Sequence, residues 1–120
     1  MTHWLIVMLG GAAGTLARYL AATALASRVT SHFPWGTFVV NITGCFLIGV
    51  LMPLLPVRSH WRLLLVTGFL GGYTTFSSFE YEVFASARGG RLWHGLLYVV
   101  ASVVAGYAAV WLGSATTTRR

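Results

Sequence analysis

The chain has 120 residues, of which 57% are hydrophobic and only 8% are charged, and its mean hydropathy is +0.75. A soluble domain carries about 25% charged residues, so this composition excludes an ordinary soluble protein and predicts one embedded in a bilayer. The net charge of +6 comes entirely from arginine. Basic chains often bind nucleic acid, but no soluble domain carries a basic patch here, so we expect no nucleic-acid partner.

The apolar segments set the number of crossings. Each helical crossing needs roughly 20 apolar residues, so the chain is long enough for four crossings with short loops. We predict an all-α membrane protein, a single domain over residues 1–120. Because four short helices leave little room for a cavity inside one subunit, we expect an oligomer if the protein transports anything. The predicted transmembrane helices lie at about 4–25, 36–55, 63–85 and 92–112.

The first segment contains a glycine pair and one arginine. Gly10 and Gly14 form a small-residue face of the kind that lets membrane helices approach closely. Arg18 lies near the end of the segment and has two interpretations. Its side chain could snorkel to the interface, or it could supply a fixed positive charge at the mouth of an anion pathway.

The second segment carries an amide within an apolar frame. The Asn41 side chain needs hydrogen-bond partners in lipid. It could join two helices, or it could donate to a passing anion. Both interpretations remain open at this stage.

The third segment is the one around which the chain is organised. Gly71 and Gly72 are followed by two threonines and two serines, an unfavourable composition for a plain lipid-facing helix. We predict a broken helix with its break near 71–75, because freed amides and carbonyls at mid-membrane can hold ions. Phe76 and Phe79 are three apart on one face. Their ring edges could attract an anion. Taken alone, two phenylalanines at this spacing are more often lipid-facing or core residues, and only the flanking glycines and threonines favour the anion role.

The fourth segment places Tyr98, Ser102 and Gly106 four residues apart, so they share one helical face. Its hydroxyl groups could replace part of an ion's water shell.

Enzymatic chemistry finds no support in the sequence. The chain has no Asp, its single cysteine is Cys45, and its four histidines have no ligand spacing. Glu80 and Glu82 are two apart and do not share a helical face. We therefore predict that the protein is not an enzyme.

The arginines give no clear orientation in the membrane. With four crossings, the side that holds both termini carries four arginines and the other side carries three, or four if Arg18 is counted. The positive-inside rule therefore selects neither orientation. An antiparallel dimer becomes possible. The side with both termini holds Arg58, Arg62, Arg119 and Arg120, and the other side holds Arg28, Arg88 and Arg91.

Three ordered motifs resemble those of the Fluc (CrcB) fluoride channels. The stretch from Gly68 to Phe79 resembles the signature GFxGGxTTFSTF of that family. The stretch 36–44 resembles GTxxVNxxG in its second helix, and 10–19 resembles GGxxGxxxRY in its first helix. Together the motifs extend the resemblance to nearly the whole chain.

The resemblance implies a dual-topology antiparallel homodimer in the bacterial plasma or inner membrane, surrounded by lipid, that passively exports cytoplasmic fluoride. It implies two separate pores, each lined by both subunits, and a structural sodium ion on the dimer axis. Arg18 corresponds to the vestibule arginine, and the carbonyls of Gly71 and Thr74 to the sodium ligands. The implied pore residues are Phe76, Phe79, Asn41, Ser77, Ser78, Tyr98 and Ser102.

Two residues depart from the family pattern. Ser78 stands where the family usually has threonine, which keeps the hydroxyl. Glu80 adds an acid before Glu82, the acid that follows the family signature, and we expect Glu80 to point away from an anion route or to pair with arginine.

Two other functions remain as alternatives. A small multidrug exporter has similar size and dual topology, but it uses a carboxylate on its first helix, and this chain has none there. A non-transporting accessory subunit would account for the glycine faces but not for the polar run from Thr74 to Ser78.

Overall fold

The computed structural model describes residues 2–118 and contains no strand in that range, so the prediction of an all-α protein is confirmed. Arg119 and Arg120, which enter the arginine count, lie outside the described residues. The elements are α1 (Thr2–Arg28), α2 (Trp35–Leu54), α3 (His60–Arg62), a π-helical stretch (Leu63–Leu70), α4 (Gly71–Tyr73), α5 (Phe76–Arg88) and α6 (Leu92–Thr118).

Three helices of the described chain, α1, α2 and α6, are long and apolar enough to cross a membrane. Both α1 and α6 have 27 residues and extend past their apolar stretches. A crossing needs roughly 20 residues, so both helices are longer than the hydrocarbon core requires. The protein is a multi-pass membrane protein.

The segment from residue 60 to residue 88, here called the 60–88 segment, has an irregular backbone. The amide of Gly71 donates to the carbonyl of Val66, five residues earlier, which is the π-helical pattern. Thr74 (φ −88°, ψ 154°) and Thr75 (φ −144°, ψ 121°) are extended and separate α4 from α5. Gly71 and Gly72 themselves are helical.

The small-residue face of α1 packs on the first half of the 60–88 segment. A Cβ at Gly10 would overlap the carbonyl of Leu64, and a Cβ at Gly14 would overlap the carbonyl of Phe69. The close approach predicted from this glycine pair is therefore confirmed. Van der Waals contact between backbones replaces side-chain packing at this interface.

The helices α2 and α6 pack along one another by the same device. A Cβ at Gly49 would overlap the carbonyl of Val110, and a Cβ at Gly113 would overlap the carbonyl of Phe46. Ala109 lies buried beside this contact.

The 60–88 segment runs alongside all three long helices. It begins near the start of α1, where the rings of His3 and His60 lie 5.3 Å apart. It ends near the start of α2, where Thr37 Oγ1 donates to Glu82 at 2.6 Å. The segment is therefore parallel to α1 and antiparallel to α2, and its two extended residues lie between these ends.

Candidate functional site

A cavity of about 440 Å³ opens beside the two extended residues. Its walls come from α2, the 60–88 segment and α6, and most of them are apolar. The polar groups that reach it are few and uncharged. The lining includes Asn41, Gly71, Thr74, Thr75, Phe76, Phe79 and Ser102, together with Cys45.

Asn41 holds the extended backbone in place. Its Nδ2 donates to the carbonyl of Thr75 at 3.0 Å, and its Oδ1 accepts from the amide of Thr75 at 2.8 Å. An unpaired backbone group in a low-dielectric setting costs about 1–3 kcal/mol, and here one side chain satisfies a donor and an acceptor together. The amide thus takes the place of the helical partners that Thr75 has lost.

Thr75 also begins the next helix. Its Oγ1 accepts from the amide of Ser78 at 3.3 Å, which caps the N-terminus of α5. The cap fixes the first turn of α5 and so presents Phe76 and Phe79 to the cavity. Their ring centroids lie 6.0 Å apart. Phe79 is buried, whereas Phe76 is 75% exposed in the single chain.

Two hydroxyl groups behind the rings are buried without a partner. The edge-on contact between Phe79 and Tyr98 has a centroid distance of 4.9 Å, and Tyr98 is only 1% exposed. Among the described residues, neither the Tyr98 hydroxyl nor Ser102 Oγ has a hydrogen-bond partner. Such groups cost free energy when they are unpaired. Ser102 lines the cavity, so its hydroxyl is available to a ligand that accepts hydrogen bonds, whereas Tyr98 lies behind Phe79.

Arg18 reaches the opposite side of the 60–88 segment. Its Nε donates to the carbonyl of Gly72 at 3.0 Å. Close contact between α1 and the 60–88 segment allows this bond, because a Cβ at Gly72 would meet Thr15 Oγ1 at 2.8 Å. Within residues 2–118, no hydrogen bond reaches the carbonyls of Gly71 and Thr74.

Comparison with known proteins identifies the family. The model of the family described as "CrcB-like protein, Camphor Resistance (CrcB)" matches residues 5–114. The chain belongs to the CrcB-like family. The resemblance carried by the three motifs is thereby confirmed.

Relatives of this CrcB-like chain carry a functional name. A protein of Solibacter usitatus named "Fluoride-specific ion channel FluC" is 57% identical over 115 residues, which cover 92% of this chain and 94% of the relative. Proteins of the same name from Acidobacterium capsulatum (46% identical, 92% of this chain, 91% of the relative) and Rhizobium meliloti (44%, 96% and 95%) are also similar.

The sequence-predicted site residues of this CrcB-like protein divide into two groups. Six line the cavity: Asn41, Gly71, Thr74, Phe76, Phe79 and Ser102. The others lie around it. Tyr98 packs behind Phe79, Ser78 lies on the first turn of α5, Ser77 is exposed beside it, and Arg18 lies across the segment.

Sequence reasoning did not single out three participants. Thr75 receives both Asn41 bonds and caps α5, Thr37 donates to Glu82, and Cys45 lines the cavity. A cap signal for Thr75 was available, since a threonine precedes the apolar face of α5. No comparable signal pointed to Thr37 or Cys45.

Proposed function

We propose that the protein is a fluoride-selective passive ion channel, not an enzyme, that exports cytoplasmic fluoride across the bacterial inner membrane. The names of its relatives support fluoride as the ion. The observation that carries the proposal is the reciprocal Asn41–Thr75 pair, which holds extended backbone and two phenylalanine rings beside an uncharged cavity.

The chemistry of the lining suits a small, strongly hydrated anion. Fluoride gives up its water only to donors at close range, and neutral donors in series let it move on where a fixed charge would trap it. The unpartnered hydroxyls of Tyr98 and Ser102 are such donors. The positive edges of the Phe76 and Phe79 rings add weak attraction. The remaining amide N–H of Asn41 and the hydroxyls of Ser77 and Ser78 complete the proposed pathway.

The proposed channel has four crossings per subunit, with the 60–88 segment as the third and its break at the extended residues. Its course beside the whole of α1 and α2 supports this arrangement. Two subunits associate in antiparallel orientation, consistent with the balanced arginines. Each of the two pores then takes its walls from both subunits. The 75% exposure of Phe76 in one chain supports a second copy that covers it.

A structural sodium ion is proposed on the dimer axis. Backbone carbonyls are suitable ligands for hard cations, and those of Gly71 and Thr74 accept no hydrogen bond within residues 2–118. The donor set therefore fits the ion. When bound, sodium would offset the negative end of α4 and raise the local positive potential. Arg18 would add positive charge at the adjoining vestibule.

The driving force is the membrane potential. Moving one charge through it is worth about 2.3 kcal/mol per 100 mV. A negative interior therefore expels fluoride through a passive pathway without any coupled ion.

The test is efflux from liposomes that contain only the purified protein. The liposomes contain fluoride, and a potassium gradient with valinomycin sets their membrane potential. A fluoride electrode should then record rapid release. Matched liposomes with chloride should release almost none. Comparable chloride release would contradict fluoride selectivity. Transport seen only with a proton gradient and an organic cation would favour a multidrug exporter. No fluoride release at all would favour an accessory subunit.

A further inference from the structure

The last turn before the extended residues ends with carbonyls that the helix cannot satisfy. The final four carbonyls of a helix have no intrahelical donor. Here the carbonyl of Leu70 accepts from Thr74 N at 3.0 Å and from Thr74 Oγ1 at 2.9 Å. The carbonyl of Gly72 accepts from Arg18. The carbonyl of Gly71 has lost its helical donors, because Thr74 N donates to Leu70 and Thr75 N donates to Asn41 Oδ1.

Arg18 therefore acts on this turn from another helix. Its donor is 54 positions away in sequence, and its positive charge lies at the negative end of a helix, where cations are stabilising. A charge-assisted hydrogen bond is stronger than a neutral one. The bond matters more here because Gly71 and Gly72, two of the three residues of α4, have high backbone freedom.

The extended residues are fixed from both sides. Arg18 of α1 holds Gly72, and Asn41 of α2 holds Thr75. The carbonyls of Gly71 and Thr74 each lie one residue before a held residue, and neither is itself hydrogen-bonded. The carbonyls of Gly71 and Thr74 can bind one ligand together only while the backbone from residue 71 to residue 74 keeps this conformation.

We propose that Arg18 is a positioning residue for the sodium site, through the bond from its Nε to the carbonyl of Gly72. This inference rests on the proposed function, since it needs a sodium ion at Gly71 and Thr74. This positioning role of Arg18 is distinct from its proposed role in the vestibule, because the two depend on different properties of the side chain. The Nε hydrogen-bond donor matters for sodium binding, whereas the charge matters for fluoride entry.

Two substitutions separate the donor from the charge. Glutamine carries its amide nitrogen as many bonds from Cα as Nε of arginine, so Arg18→Gln keeps the donor and loses the charge. Lysine has a methylene at that place and its ammonium one bond further, so Arg18→Lys keeps the charge and displaces the donor. Arg18→Met removes both.

The experiment measures thermal unfolding of the purified protein during titration with sodium, with N-methylglucamine as the replacement cation at constant ionic strength. Arg18→Gln should keep the wild-type sodium concentration for half-maximal stabilisation to within about twofold. Arg18→Lys and Arg18→Met should raise it about tenfold. A purely structural role would lower the unfolding temperature equally with and without sodium, and that result would overturn the inference.

The variants also show which proposal fails. No sodium effect on the wild-type protein would reject the proposed sodium site. A wild-type effect that Arg18→Lys retains and Arg18→Gln loses would reject the positioning role and favour a role for charge. If Arg18→Met does not fold, the comparison of Gln with Lys still decides. Fluoride efflux, measured in parallel at saturating sodium, should fall more in Arg18→Gln than in Arg18→Lys.

Discussion

The contact between α2 and α6 and the contacts of the 60–88 segment are both close, but different forces hold them. Where α2 meets α6, glycines bring backbone against backbone, as at Gly49 and Gly113. The 60–88 segment combines such a contact with side chains that bond to its backbone, from Arg18 and Asn41. The first region needs small residues at fixed spacing. The 60–88 segment also needs particular hydrogen-bond donors and acceptors. A site at which an ion exchanges its water shell for protein groups has the same requirement.

The largest effect is expected from a methyl group at the α2–α6 contact. Gly49→Ala places a Cβ against the carbonyl of Val110 and should destabilise the protein by about 3 kcal/mol. Gly106→Ala on the same pair of helices is the control, because its Cβ would meet side-chain atoms alone, Cys45 Sγ at 3.4 Å and Ile42 Cδ1 at 3.8 Å. Size-exclusion chromatography and thermal unfolding in detergent should show loss of folded protein only for Gly49→Ala. Equal behaviour would mean that backbone contact does not hold this pair.

A smaller loss of stability, with loss of flux, is expected when the extended residues lose their partner. Asn41→Leu leaves the amide and carbonyl of Thr75 unpaired and should cost about 2 kcal/mol. Fluoride efflux should fall with it. Thr43→Val, two residues along the same helix, removes an exposed hydroxyl that bonds Tyr73 and should leave efflux nearly unchanged. A fully active Asn41→Leu would remove the distinction between the two regions.

The rings should affect flux without affecting the fold. Phe76→Ile and Phe79→Ile should each reduce fluoride efflux tenfold or more, equivalent to about 1.4 kcal/mol on the barrier, because isoleucine has no ring edge. Phe84→Ile on the same helix is the control, since Phe84 packs with Tyr81 and Arg88, away from the cavity. Elution volume should match the wild type for all three. Full activity of both the Phe76→Ile and Phe79→Ile variants would exclude an aromatic mechanism.

The smallest effect concerns the cap of α5. Thr75→Ala removes the acceptor for the Ser78 amide and should lower stability by about 1 kcal/mol, whereas Thr75→Ser keeps it and should be neutral. Thermal unfolding of the two variants side by side tests this. Equal unfolding temperatures would show that the Asn41 bonds alone hold the turn.

The overall class could be read from the sequence because it depends on local properties. Long apolar stretches predicted a helical membrane protein, and the Gly10 and Gly14 pair predicted a close helix contact, which the structure confirms. Residue size and hydrophobicity decide both features, and neither requires knowing the partner in advance.

The partners of the polar groups could not be read in the same way. Arg18 and Asn41 each had two open interpretations, and both side chains bond to backbone 54 and 34 residues away. Which carbonyl a side chain reaches depends on how three helices pack. The break in the third segment was predicted near 71–75 from Gly71 and Gly72, but its exact position depends on packing as well. Gly71 and Gly72 stay helical, and Gly72 serves close packing, whereas the extended backbone falls at Thr74 and Thr75, whose β-branched side chains favour it.

Arg18 and Asn41, whose side chains bond to the backbone of the 60–88 segment, both precede that segment in the chain, and this order has a consequence for biogenesis. Arg18 and Asn41 belong to helices that are synthesised before Thr75 leaves the ribosome. Their side chains are thus available when the extended residues enter the bilayer, and the backbone groups of Thr75 need not remain unsatisfied there. A chain with these helices permuted behind the 60–88 segment would have to insert that backbone without its partners.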